Sequence, residues 1–168
     1  MKENIVIIDG SSLLYRAFYA IPHLTDAQGH PTNAVYGFLR MLLSLYRELD
    51  PAYVAVTFDK DRQTFRTEMY DGYKATRKPA PAELVPQFDL ILEVMHVMGV
   101  AVYSLSGYEG DDVLGTLSAR YEKELPVAIV TGDRDALQLA SDRTTVYLTQ
   151  KGISSMSEMT PKAVEEKY

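Results

Sequence analysis

Three acidic side chains occupy four consecutive positions, Glu109-Gly110-Asp111-Asp112, directly before an apolar run with helical spacing. Carboxylates at this density repel one another, and a buried one also loses its hydration, so a bound cation is the usual compensation. Oxygen ligands without Cys or a nearby His favour a hard ion, Mg²⁺ or Mn²⁺, over zinc. The alternative is a simple helix start, where acidic residues suit the positive end of the helix dipole.

Further aspartates follow apolar, strand-like runs elsewhere in the chain: Asp9, Asp59, and the pair Asp133 and Asp135. In an open α/β sheet, ligands bind at the carboxyl ends of the strands, so these side chains are expected to meet at one edge. This convergence favours the cation-binding interpretation over the helix start. The candidate metal ligands, drawn from four segments of the chain, are Asp9, Asp59, Glu109, Asp111, Asp112, Asp133 and Asp135.

That many carboxylates exceed the needs of one Mg²⁺, which keeps several waters and takes one or two of them. Two ions roughly 3.5–4 Å apart would use the set for in-line displacement at phosphorus, the logic of phosphodiester hydrolysis. A haloacid-dehalogenase-like phosphatase is a rival, because a strand ending in Asp9-Gly10 superficially matches its nucleophile loop. That chemistry needs a second Asp two positions later, where this chain has Ser11.

Composition excludes several other classes of protein. With 168 residues, 46% of them hydrophobic, the chain is long enough for one domain with a substantial core. It has no Cys, which rules out disulfides and thiol catalysis, and no apolar run approaches the ~20 residues of a membrane span. The charged start lacks a signal-peptide pattern, so a cytoplasmic protein without a membrane association is expected.

The net charge of −6 hides a basic segment between residues 60 and 78. Phe65, Tyr70 and Tyr73 interleave there with cations, a mixture that suits phosphates and stacked bases of nucleic acid. The alternative is a disordered surface loop. A linker of this length inside a compact domain is unusual unless it is functional or mobile. The basic residues of the segment are Lys60, Arg62, Arg66, Lys74, Arg77 and Lys78.

Alternating strand-like and helix-like runs predict an α/β fold with a mainly parallel central sheet flanked by helices. Predicted strands cover residues 4–8, 53–58, 100–103, 127–130 and 144–148, with a hairpin return near Ile153. Predicted helices begin at a cap on Ser11 or Ser12 and then cover 34–48, 83–98, 111–122 and 135–140, with a last one opened by Thr160-Pro161. Leu43 and Leu92 are expected on buried helix faces.

Taken together, the motifs resemble the 5′→3′ exonuclease domain of bacterial DNA polymerase I, within the flap-endonuclease, PIN-like superfamily. The resemblance extends from about Asn4 to Tyr168 and depends on the order of the motifs, since each alone is weak. Those motifs are Ile8-Asp9-Gly10, Tyr15-Arg16, Ala34-Val35-Tyr36-Gly37-Phe38, Phe58-Asp59, Phe65-Arg66, Tyr73-Lys74, Gly107-Tyr108-Glu109-Gly110-Asp111-Asp112, Thr131-Gly132-Asp133-Arg134-Asp135 and Leu137-Gln138-Leu139.

The resemblance implies a PIN-like fold and a nuclease that removes RNA primers and displaced 5′ flaps of DNA, using two divalent ions. It places Asp9, Asp59 and Asp111 on the first ion, with Glu109 and Asp112 close by, and Asp133 and Asp135 on the second. Catalytic or phosphate-contacting cations would be Lys74, Arg16 and Arg66, and Tyr73 would stack on the terminal nucleotide. Arg77 and Lys78 extend the nucleic-acid-binding set, and residues at about 60–82 would form a mobile arch.

The family pattern continues beyond the last helix seen here, with two more aspartates and a helix-hairpin-helix region. We therefore expect residues 1–168 to be a single domain from a longer nuclease or polymerase chain. The first metal site would be complete, the second incomplete, and the activity weak or absent. Two alternatives stay open: a nucleic-acid-binding module without catalysis, and a PIN-type RNase acting on single-stranded RNA.

Overall fold

The computed structural model describes residues 3–60, 64–150 and 155–168. Within them, six strands form one sheet in the order β3-β2-β1-β4-β5-β6. The strands are β1 (Ile5–Asp9), β2 (Tyr53–Thr57), β3 (Ala101–Tyr103), β4 (Val127–Thr131), β5 (Thr144–Thr149) and β6 (Met156–Met159). All neighbouring pairs are parallel except β5 with β6, which confirms the predicted, mainly parallel sheet.

Helices cover both faces of this sheet. They are α1 (Gly10–Ala20), α2 (Asn33–Leu49), α3 (Phe65–Met69), α4 (Val85–Val97), α5 (Gly110–Tyr121) and α6 (Pro161–Lys167), with a 3₁₀ helix over Arg134–Leu139. None of the helices within the described ranges has the length and hydrophobicity of a membrane-spanning segment. As predicted, Thr160 caps α6, accepting a hydrogen bond from the amide of Ala163, and Pro161 opens it.

The two faces of the sheet bury separate apolar clusters, because successive side chains of a strand point to opposite sides. Val6 and Ile8 of β1 pack with α1, α2 and α4, where Phe38 is 1% exposed. Ile5 and Ile7 pack on the other face, with Leu114 of α5. Burial on both faces explains why the first strand is a continuous apolar run.

The order in which successive strands are added to the sheet reverses at the neighbouring strands β1 and β4. Strand β1 lies in the middle; β2 and β3 extend to one side of it and β4, β5 and β6 to the other. Register pairs Asp9 with Thr57 and Ile8 with Val130, so the carboxyl ends of β1, β2 and β4 lie level. Such a reversal opens a crevice at the strand ends, which is where the aspartates were predicted to meet.

Three predictions about local structure were wrong. The cap of α1 is Asp9, whose carboxylate accepts the amide of Ser12, because the strand ends one residue later than expected. Leu43 and Leu92 are 54% and 39% exposed, since each follows a buried residue by one position and turns about 100° away from it. Two other predicted positions, Arg62 and Ile153, are not among these errors, because they lie outside the described residues.

One buried side-chain amide, that of Gln87, links three helices on the face of the sheet that packs against Phe38. Gln87 of α4 is fully buried, and its Oε1 accepts hydrogen bonds from the amides of Ala34 (2.8 Å) and Val35 (3.2 Å) in the first turn of α2. Its Nε2 donates to Asn33 Oδ1, and Asn33 Nδ2 donates to two carbonyls at the end of α1. Each of these buried groups therefore has a partner, as burial requires.

Candidate metal and nucleic-acid site

Aspartates from four segments meet at the carboxyl edge of the sheet. Asp9 ends β1, Asp59 follows β2, Asp133 follows β4, and Asp111 lies in the first turn of α5. Helix α5 is tied to this edge by the amide of Gly110, which donates to Asp59 Oδ1 at 2.6 Å. Asp111 is repelled by the charges of Asp9, Asp59 and Asp133, so the four side chains lie near one another, as predicted, but not in contact as a group of ligands.

Asp9 is the most buried member of the cluster, at 4% exposure. Its Oδ1 accepts the amide of Ser12 at 3.1 Å, and its Oδ2 accepts the hydroxyl of Thr131 at 2.7 Å. Burial raises the pKa of Asp9 to about 6; the two hydrogen bonds oppose this, while Asp59 and Asp133 add to it by repulsion. The carboxylate is thus held in place but is electrostatically unfavourable without a cation.

Asp111 is affected by the same group of charges. Desolvation of its carboxylate, followed by repulsion from Asp9, Asp133 and Asp59, raises the pKa of Asp111 to about 7, and Lys74 opposes the rise. The residue as a whole is exposed, so solvent reaches the cluster from the side of α5. Asp59 is exposed too, and its amide donates to Ser11 Oγ at 3.0 Å.

Asp133 and Asp135 follow β4 and begin the 3₁₀ helix. The amide of Asp133 donates to Thr131 Oγ1 at 3.0 Å, and the amide of Asp135 donates to Asp133 Oδ1 at 2.9 Å. Asp133 acts electrostatically on both Asp9 and Asp111. Asp135 is exposed and is not among the largest contributors to either pKa.

Glu109 and Asp112 are paired with cations of the basic segment. Arg66 donates two hydrogen bonds to Asp112, both at 2.6 Å, and Lys74 Nζ lies 2.9 Å from Glu109 Oε1. Tyr73 also donates its hydroxyl to Glu109, at 3.2 Å. The Arg66 guanidinium holds the pKa of Asp112 below its usual value. The negative charge of each carboxylate is therefore already balanced by an ion pair within the protein.

These pairs also give the expected arch more structure than a bare linker. Its residues include α3, and the amide of Phe65 donates to the carbonyl of Gly107 at 2.8 Å. Arg66 stacks over Phe65 with its guanidinium carbon 4.6 Å from the ring centre. Desolvation lowers the pKa of Lys74, but its hydrogen bond and ion pair with Glu109 raise it by more. Sequence spacing alone did not predict this docking.

Three further predicted cations, Arg16, Arg77 and Lys78, make no ion pair with another residue of the described ranges. Arg16 donates to the carbonyl of Gln150 and lines an open cleft of about 430 Å³ beside Gly132, together with Tyr15 and Tyr19. A methyl group on Gly132 would come within 2.9 Å of Ser12 Oγ and 3.2 Å of Arg16 Nε, so glycine allows both side chains to lie this close to the backbone. Arg77 and Lys78 are exposed after the last turn of the arch.

The carboxylate oxygens of the aspartate cluster are chemically suited to a divalent ion, but they are not arranged as a complete coordination site. Carboxylate oxygens are the ligands that Mg²⁺ and Mn²⁺ prefer. Over residues 3–60, 64–150 and 155–168, however, no three acidic, His or Cys side chains are grouped closely enough to hold one ion as they stand. The assignment of the seven carboxylates as ligands therefore stays a prediction.

Sequence reasoning missed three hydroxyl groups that organise the cluster. Ser11 accepts the amide of Asp59, Ser12 accepts the amide of Gly132 at 3.0 Å, and Thr131 bridges Asp9 to Asp133. The signal that could have found them is their position, because each lies within two or three residues of a strand-end aspartate. Small hydroxyl residues at such places commonly bond to nearby backbone groups.

Residues 4–168 match the model of one protein family, described as the 5′-3′ exonuclease, N-terminal resolvase-like domain. The chain belongs to this family. Membership agrees with the resemblance found in the motifs and with the mainly parallel sheet.

Relatives within bacterial DNA polymerases share nearly half of the sequence. DNA polymerase I of Bacillus caldotenax is 47% identical over 169 residues, covering 100% of this chain, and that of Mycobacterium leprae is 47% identical over 170 residues, covering 99%. The chain spans 19% of the length of each of these relatives. The match therefore concerns one region of a much longer enzyme.

Solved structures share the fold at low sequence identity. The bacteriophage T5 D15 protein co-crystallised with metal ions matches with a TM-score of 0.73 and 17% identity, over 98% of this chain and 59% of that one. The T5 D15 flap endonuclease in complex with DNA and metal ions matches with a TM-score of 0.68 and 18% identity, over 98% and 60%. Both matches show that this family member has the architecture of those nucleases.

Proposed function

We propose that this family member is a divalent-metal-dependent 5′ nuclease that hydrolyses phosphodiester bonds of DNA at 5′ ends and 5′ flaps. The observation that carries the proposal is the aspartate cluster, in which burial, together with repulsion between the carboxylates, raises the pKa of Asp9 to about 6 and that of Asp111 to about 7. A fold gains nothing from such repulsion, whereas bound cations remove it. Family membership supplies the reaction class.

In this proposal Asp9, Asp59 and Asp111 hold one ion, and Asp133 with Asp135 holds a second. Mg²⁺ and Mn²⁺ fit the oxygen donors equally, and either ion supplies Lewis-acid stabilisation of the charge that develops on phosphate oxygens. The hydrogen bonds from Ser12 and Thr131 orient Asp9 before any ion arrives. Among the described residues these three carboxylates are not grouped closely enough to hold an ion, so binding one would require the exposed Asp59 and Asp111 to move toward the buried Asp9.

The cations of the arch bind DNA by exchanging partners. Arg66 and Lys74 are held by Asp112 and Glu109 in the protein alone, and a phosphate can replace each carboxylate without a net loss of ion pairs. We propose that Arg66 and Lys74 move onto phosphates near the scissile bond and that Tyr73 then stacks on the terminal nucleotide. Glu109 and Asp112 become available to an ion only after this exchange. Arg16, Arg77 and Lys78 complete the phosphate-binding surface.

Cleavage of a labelled DNA flap tests the function directly. The protein is mixed with a 5′-flap substrate and Mn²⁺, beside Asp111→Ala and the matched control Asp142→Ala, an exposed aspartate on the loop before β5. We expect cleavage by the parent and the control and loss of at least 100-fold in Asp111→Ala. Equal traces from the parent and Asp111→Ala would contradict catalysis and leave a nucleic-acid-binding module.

The identity of the substrate needs a second arm of the same assay. A DNA flap, a blunt DNA duplex, an RNA primer annealed to DNA and a linear single-stranded RNA are compared at one enzyme concentration. We propose a preference for flaps and for RNA primers annealed to DNA, next to ends extended by a polymerase in the bacterial cytoplasm, because the relatives are DNA polymerases I. Equal cleavage of linear RNA would instead indicate a PIN-type RNase.

A further inference from the structure

A single buried hydroxyl connects the two halves of the aspartate cluster. Thr131, the last residue of β4, has 0% exposure. Its Oγ1 donates to Asp9 Oδ2 at 2.7 Å and accepts the amide of Asp133 at 3.0 Å. Asp9 belongs to the proposed first ion site and Asp133 to the second. One oxygen atom therefore contacts the carboxylate of Asp9 and the main-chain amide of Asp133.

The direction of these hydrogen bonds follows from the groups involved. A threonine hydroxyl has one proton to donate and two lone pairs that accept. The amide of Asp133 can only donate and an ionised Asp9 can only accept, so in the ionised state the proton of Thr131 points to Asp9. With Ser12 on the other oxygen, both oxygens of Asp9 are held by the protein, and each keeps a further lone pair for an ion.

We propose that Thr131 is a positioning residue that sets the Asp9 carboxylate and the Asp133 segment in one fixed arrangement for binding divalent ions. The inference rests on the proposed function and adds to it a residue outside the ligand set. Partners that orient metal ligands in this way typically contribute 10- to 100-fold to metal affinity. A purely structural role would instead affect folding and leave the affinity of the folded protein unchanged.

Threonine at position 57 provides a matched control. Thr57 is likewise fully buried and ends the neighbouring strand β2, but its hydroxyl donates to the main-chain carbonyl of Ile8 at 3.4 Å, not to a carboxylate. Changing either threonine to valine keeps the shape of the side chain and removes one hydroxyl. Only the change at position 131 removes a contact with an aspartate side chain.

The test measures Mn²⁺ binding by calorimetry, with melting temperature in EDTA as the measure of folding. Thr131→Val is expected to weaken Mn²⁺ binding 10- to 100-fold, and Thr131→Ser and Thr57→Val are expected to stay within threefold of the parent. On flap DNA, Thr131→Val should lower kcat and leave KM for DNA near the parental value, since the arch cations are unchanged.

Two results would overturn the proposal. One is parental Mn²⁺ affinity in Thr131→Val, and the other is a loss in Thr131→Ser as large as the loss in Thr131→Val. If Thr131→Val does not fold, Thr131→Ser is compared with the parent alone, and a loss of Mn²⁺ affinity of 10-fold or more in a folded Thr131→Ser overturns the proposal. If the parent binds Mn²⁺ but cleaves no DNA, the proposed function fails, while weaker binding by Thr131→Val still supports the positioning role.

Discussion

Asp9 makes the free energy of unfolding of the metal-free protein depend on pH. Its pKa rises from 3.8 to about 6 in the folded protein, chiefly through burial. Between these two values the folded state keeps a proton that the unfolded state has released. Stability is therefore fully present below about pH 3.8 and falls as the pH rises through about 6. The difference corresponds to ~3 kcal/mol, at about 1.4 kcal/mol per pKa unit.

Replacing Asp9 with asparagine isolates this effect. Asparagine keeps one oxygen for the amide of Ser12 and is an equally good helix cap, but it cannot ionise. Urea unfolding in EDTA, followed by circular dichroism at pH 4 and pH 7.5, measures the change. Over this interval the free energy of unfolding of the parent should fall by about 2–3 kcal/mol more than that of Asp9→Asn, because only the parent ionises a buried carboxyl at position 9.

The matched control for that experiment is Asp142→Asn, which removes an exposed carboxylate far from the cluster and should follow the parent. Saturating Mg²⁺ at pH 7.5 should raise the melting temperature of the parent and the control but raise that of Asp9→Asn much less. The reasoning is refuted if the parent and Asp9→Asn show the same pH dependence, or if Mg²⁺ stabilises them equally.

The remaining predictions concern the arch and the buried amide. Lys74→Ala should reduce flap cleavage at least 10-fold but change the free energy of unfolding by under ~1 kcal/mol, since Glu109 keeps Tyr73 as a partner. Lys162→Ala serves as the surface control. A large fall in the melting temperature of Lys74→Ala would contradict this prediction. Gln87→Leu should cost roughly 2–5 kcal/mol by leaving the amides of α2 without an acceptor, as measured by urea unfolding. The exposed Gln138→Leu should change stability by under ~0.5 kcal/mol, and a similarly small cost for Gln87→Leu would show that α2 does not need this acceptor.

Much of the fold and the position of the site could be predicted from the sequence. Continuous apolar runs such as Ile5–Asp9 identified strands buried on both faces, and aspartates after three of them identified the edge where the charges meet. These inferences succeed because strand direction and sheet geometry fix where a residue after a parallel strand must lie. The first-turn position of Asp111 followed from helix spacing in the same way.

What sequence could not predict were contacts made by side chains over long separations. Neither spacing nor composition tells which carboxylate Arg66 will meet, and 46 residues separate it from Asp112. Likewise, a glutamine in an apolar helix gives no sign that it accepts amides 53 positions earlier, as Gln87 does from Ala34. Such bonds depend on how whole helices pack, which local preferences do not determine.

The arch is fastened unequally along its length. Its start is joined to Gly107 through the amide of Phe65, and α4 beyond its end is anchored by the buried Gln87, whereas its middle is held by the partly exposed ion pairs of Arg66 and Lys74. Ionic strength weakens exposed pairs far more than buried amide bonds. Added salt should therefore speed hydrogen–deuterium exchange around Tyr73 while the first turn of α2 stays protected, so that the loop loosens between two fixed ends.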